Sequence, residues 1–245
     1  MSDILSADKI SFSKILALLF VVLPVTSNPC FAKTEGWYMR QNSQIYGMVS
    51  TVVSSEGIRL EMKDIKITLS KPGWKVTFWN EKTNFIFDET IEDFKRRTPV
   101  KADPTVYDSK VIPGKPAIEI FAGVKAKHYQ WVKVRKDGTA KPSVVYDFAC
   151  SQEMGLPKEV GDVASLCCYI PIGYGLPLRV SGGQNRGMLL NTTFLKKGPV
   201  DLSIYKPPKN IKFKRVRSEM EVLLKEKGTA DDADVSDLFK AIPGK

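Results

Sequence analysis

An α+β fold is predicted, built on a strongly curved antiparallel sheet. The expected form is an unclosed half-barrel with a few short helices covering its concave face. Two observations carry this. Within residues 57–94, Ile65, Ile67 and Leu69 alternate with polar neighbours, and so do Trp74, Val76 and Phe78. The connections are too short for parallel crossovers: Lys71-Pro72-Gly73 turns the first strand back, and about four residues near Asn80–Asn84 lead into Phe85-Ile86-Phe87. The stretch reads as three consecutive strands with one large apolar face.

Before this meander lies an eleven-residue apolar run, Ile15–Val25, preceded by Lys9 and Lys14 and followed by Cys30-Phe31-Ala32. A bilayer span takes roughly 20 residues, so the run is short for one. Small residues at 30 and 32 fit an export cleavage site. The expected organisation is an export signal over 1–32, a half-barrel domain over 33–227, and an acidic tail or short helix over 228–245, giving a periplasmic or otherwise secreted protein. Residues 1–32 hold two Lys and two Asp, so the mature chain keeps the formal charge of +10. The positive residues are scattered along strands. That pattern suits solubility or transient contact with an anionic membrane surface. Without stacking aromatics on a basic platform, nucleic acid is not an expected partner.

The remaining elements follow in order. Residues 37–40 and 45–53 are strand-like, and Thr90–Arg97 is a short helix with acids ahead of bases. Residues 98–116, with four prolines, read as an irregular loop. Strands are expected over 118–122, 128–135 and 144–150, with Asp137-Gly138 as a turn. Pro157–Cys168 is a candidate helix, since Val160, Val163 and Cys167 recur at helical spacing. Strand patterns return over 178–180, 187–195, 200–205 and 211–216. Residues 218–226 fit either a capped helix, from Ser218 and Glu221, or a strand.

Little points to catalysis. The single histidine, His128, excludes a multi-histidine metal site, and no phosphate-cradling loop, nucleophile elbow or zinc spacing occurs. No cofactor is expected. After cleavage Cys150, Cys167 and Cys168 remain, and in an oxidising compartment Cys150 pairs with one of the other two or all three are buried thiols. An envelope enzyme using Cys150 or a vicinal Cys167–Cys168 pair for redox chemistry is a further alternative.

Several strands carry bulky residues on both faces: Trp79 beside Phe78, Tyr129 and Trp131 beside Val132, Tyr146 and Phe148 beside Val145. Either the sheet is covered on both sides, or its concave side walls an apolar cavity. Such a cavity suits an acyl chain, at ~0.8 kcal/mol per buried methylene. The expected lining is Trp74, Val76, Phe78, Phe85, Phe87, Trp131 and Phe148.

Taken together, KPGWKVTFWNEKTNFIFDETIEDF, the middle GVKAKHYQW, the late GLPLRV and the closing YKPPKNIKFKRV resemble periplasmic lipoprotein-carrier-like proteins of the LolA/LolB half-barrel superfamily. The resemblance covers roughly residues 37–224. It implies an unclosed barrel plugged by helices, a cavity for lipid or lipoprotein acyl chains, and no enzymatic activity. The expected function is binding or carrying a hydrophobic, lipid-like ligand in the cell envelope. The alternative is an envelope interaction protein with a packed core and a basic docking surface.

Overall fold

The computed structural model describes residues 33–44, 46–98, 106–182 and 187–223. The expected export signal and acidic tail lie outside them. Among the described residues, twelve strands form one sheet that does not close into a barrel, and three short helices accompany it. This is a sheet-dominated α+β fold.

The chain runs through β1 (Lys33–Ser43), β2 (Gly47–Ser54), β3 (Gly57–Met62), β4 (Ile65–Ser70), β5 (Lys75–Asn80) and β6 (Phe85–Thr90), each antiparallel to the last. After α1 (Ile91–Arg97) it resumes at the opposite edge. There β7 (Tyr107–Phe121), β8 (Val124–Arg135), β9 (Ser143–Ser151), β10 (Leu176–Gly182) and β11 (Met188–Asp201) step back until β11 pairs with β1. α2 (Lys158–Cys167) is inserted between β9 and β10. Last come β12 (Lys214–Arg215) and α3 (Glu219–Leu223). β12 runs parallel to β6, so the sheet is mixed rather than purely antiparallel.

Several elements differ from expectation. Residues 57–94 hold four strands, not three, because Ile58, Leu60 and Met62 already alternate with Arg59 and Glu61 and then turn at Lys63-Asp64. Trp74 sits in the turn with φ of 49°, and β5 begins one residue later. The proline-rich segment joins the sheet from Tyr107. Its prolines are tolerated because β7 is an edge strand, and the register with β8 slips between Pro113 and Ile118. Residues 188–201 are one long strand, followed by a 3-10 turn at Leu202–Tyr205. Of residues 211–216 only Lys214 and Arg215 pair. The ambiguous segment is helical: Ser218 Oγ accepts from the Glu221 N–H at 3.4 Å, and the Glu221 carboxylate accepts from the Arg217 N–H at 3.3 Å.

The register places Val53, Ile58, Leu69, Val76 and Phe78 on one face, all 3% exposed or less. α1 packs there through Phe94, whose ring lies 5.9 Å from that of Phe78. Val160 and Val163 of α2 belong to the same core, as does Val222 of α3. The opposite face is also covered, which explains the bulky residues there. Trp79 is fully buried, with the Arg59 guanidinium 5.9 Å from its ring centroid. Arg59 in turn donates to the Ile204 carbonyl at 3.2 Å, and Tyr205 donates to Ser54 at 2.9 Å.

Toward the β7 edge the cover is β7 itself. His128 on β8 is 5% exposed, with Nδ1 2.9 Å from the Pro116 carbonyl oxygen and Nε2 2.8 Å from Asp147 Oδ2. Asp147 also accepts from Gln130 at 3.1 Å and from Arg179 at 2.8 Å, and Arg179 Nε donates to Glu119 at 2.8 Å. A Cβ at Gly114 would lie 2.5 Å from the His128 ring. Gly114→Ala is therefore expected to cost about 1–3 kcal/mol through overpacking, read as a lowered urea midpoint with unchanged slope.

Candidate functional site

The two core clusters leave a recess on the helix-bearing face, between the C-terminal half of α2 and the strands from β3 through β1 and β11 to β9. About 60 Å³ of it admits the centre of a water molecule. The walls are apolar: Leu60 and Met62 of β3, Leu176 and Leu190 from the opposite side, and Ala164 on α2. These come from elements far apart in sequence, brought together by the β1–β11 pairing.

Gln41, Ser43 and Thr51 are the buried polar side chains in the lining of the recess. Gln41 is 3% exposed and donates to the Pro177 carbonyl at 3.3 Å and to Thr192 at 3.0 Å. Its carbonyl oxygen accepts from Thr51 at 2.9 Å. A buried amide bonded in this way is stable because none of its groups is left without a partner. At the mouth stand Tyr46, in the β1–β2 turn, and Tyr169, just after α2, with their phenols hydrogen-bonded to each other. Burial, with the neighbouring Tyr169 and cysteines adding to it, pushes the Tyr46 phenol well up. Burial likewise raises Tyr169. Both are neutral hydroxyls at any physiological pH.

Cys167 and Cys168 also line the recess. The expected Cys150 bridge is not formed: Cys150, Cys167 and Cys168 are free thiols. Cys150 and Cys168 share one apolar cluster, while Cys167 packs against the main core. Burial pushes the Cys167 thiol up to about 12 despite the opposing pull of Arg97, and it raises Cys150 and Cys168 strongly. Thiols held this far from ionisation are poor nucleophiles. Denatured without reductant, all three should alkylate when followed by peptide mass spectrometry. Modification of only one would reveal a bridge.

The seven residues expected to line a cavity lie elsewhere. Val76 and Phe78 are core under α1, with Phe87 at 6.2 Å from Phe78. Trp74 and Phe85 are partly buried against the same cluster. Trp131 and Phe148 belong to the second cluster, where Trp131 stacks on Tyr146 at 5.7 Å and Phe148 lies 5.6 Å from Tyr129. Tyr146, Cys168, Leu189 and Leu190 belong to that cluster and also line the recess. Among the described residues no group of three or more potential metal ligands occurs.

No family model matches the sequence, and no curated protein matches it. Among solved structures the chain is similar to PNGF-II at 10% identity and a TM-score of 0.43, over 84% of this chain and 33% of that one. It is also similar to an uncharacterised conserved protein from Thermus thermophilus at 10% identity and a TM-score of 0.37, over 74% and 90% of the two chains. The chain thus spans about one third of the length of PNGF-II.

Proposed function

We propose that this protein is an exported, non-enzymatic carrier that binds a hydrophobic, lipid-like ligand in the recess beside α2. In this reading the open sheet curves around its helices as a half-barrel, and the recess is the part of its concave side that the helices leave unfilled. The apolar recess is the observation that carries it. Its walls are predominantly apolar, as those of small-molecule sites are, and about 60 Å³ of it admits the centre of a water molecule. The resemblance of residues 37–224 to lipoprotein carriers supports the same ligand class, and the scattered charge of +10 supports delivery at an anionic surface.

The test is titration with the uncharged fluorescent probe N-phenyl-1-naphthylamine. Saturable binding at one site per chain is expected, weakened at least tenfold by Leu189→Trp, which fills the mouth from a half-buried position. No saturable binding by the parent protein would remove the carrier reading. The second reading, an envelope interaction protein, is favoured by a different feature: Ile118 and Ile120 are 45% and 69% exposed on the edge strand β7.

A further inference from the structure

The recess selects by what it lacks. Among the described residues that line it, none is charged at neutral pH. Arg97, near enough to Cys167 to influence that thiol, is already held by the carboxylates of Glu89 and Glu219, with its Nε 2.9 Å and 3.0 Å from the two Glu89 oxygens. A ligand carboxylate or phosphate entering the recess would lose its hydration and find no counter-ion, which is the costly form of burial. The floor amide cannot compensate, because Gln41 is committed to Pro177, Thr192 and Thr51. Among the polar groups that line the recess, with Ser43 and Tyr146, are the paired phenols of Tyr46 and Tyr169 at the mouth. Each offers a hydroxyl able to donate and accept. Tyr46 is 37% exposed, so this pair stands where solvent gives way to the apolar interior.

We infer that the ligand is an uncharged amphiphile, of the fatty alcohol or monoacylglycerol class. Its chain lies in the recess and its hydroxyl or carbonyl head bonds to Tyr46 and Tyr169; ionised fatty acids and phospholipids are rejected. This rests on the carrier reading and sharpens it. The walls that would meet the chain are apolar, and the phenol pair bonds a neutral head without demanding a countercharge.

Displacement of N-phenyl-1-naphthylamine from the full chain tests it, using 1-decanol, glycerol monodecanoate and sodium decanoate at pH 8, all below their aggregation concentrations. The two neutral compounds should displace the probe at concentrations at least tenfold lower than decanoate. Tyr46→Phe combined with Tyr169→Phe should lower the preference for 1-decanol over decane by about two- to tenfold, the contribution of a single hydrogen bond. Leu189→Lys, which brings a cation to the mouth, should narrow the gap between decanoate and 1-decanol to about threefold. Probe binding in which decanoate competes as well as 1-decanol would overturn the inference while leaving the carrier reading intact. Unaltered 1-decanol preference in the double phenylalanine variant would overturn the placing of the head. Absence of any probe binding would remove the carrier reading itself.

Discussion

Replacing Phe78 by alanine should lower the free energy of unfolding by about 3–5 kcal/mol. The ring is 3% exposed and lies between Phe94 of α1 and Phe87 of β6, with the Arg97 guanidinium 5.8 Å from its centroid. Removing it opens a cavity where α1 meets the sheet. The loss combines the transfer energy of the ring with unfilled space that a sheet of paired strands cannot collapse to fill. For a domain of this size each kcal/mol corresponds to about 2–4 °C, so thermal unfolding should fall by at least about 6 °C. A loss below about 1 kcal/mol would mean that α1 does not pack on β5.

Asp147→Ala should cost a similar amount, about 3–5 kcal/mol, for an electrostatic reason. Asp147 joins His128, Gln130 and Arg179, and its removal leaves the Arg179 guanidinium, 15% exposed, with Glu119 as its remaining carboxylate partner, beside the Ser181 hydroxyl at 3.1 Å. It also strands His128, whose two ring nitrogens face the Pro116 and Asp147 oxygens. Burial alone would raise the Asp147 pKa, but the bonds from Gln130, His128 and Arg179 outweigh it and hold the carboxyl below its usual range. A carboxylate with a depressed native pKa contributes stability that is complete above its unfolded pKa, near 3.9, and is lost as the pH falls through the lower native value. The stability gap between the parent and Asp147→Asn should therefore shrink as the pH falls from 5 to below about 4. Urea unfolding across that range checks it. A gap that widened in acid would contradict the network.

Much of this architecture is legible locally. Ile65–Leu69 and Val76–Phe78 alternate because β4 and β5 each bury one face against α1 and the core, and the spacing of Val160 and Val163 marks the buried stripe of α2. What escapes a local reading depends on distant partners. β7 is hidden by its prolines, which only an edge position makes tolerable. β12 is two residues long and is a strand only because β6 lies beside it. The residues expected as lining lie outside the recess for a related reason. Large aromatic residues mark where a core is filled, so Val76, Phe78 and Phe148 are packed interior. The recess lies where Ala164 of α2 faces Leu60 and Leu190, along the β1–β11 seam that joins the two halves of the chain. No local motif announces such a place. The Tyr46–Tyr169 pair likewise joins residues more than a hundred positions apart.

Native mass spectrometry of the protein purified from its own host, with solvent extraction of whatever accompanies it, tests most directly whether the recess holds a neutral hydrophobic molecule. The expected result is a one-to-one adduct that is lost on extraction and identified as an uncharged, chain-bearing lipid. A spectrum showing only the bare chain, from protein that also fails to bind N-phenyl-1-naphthylamine, would contradict it.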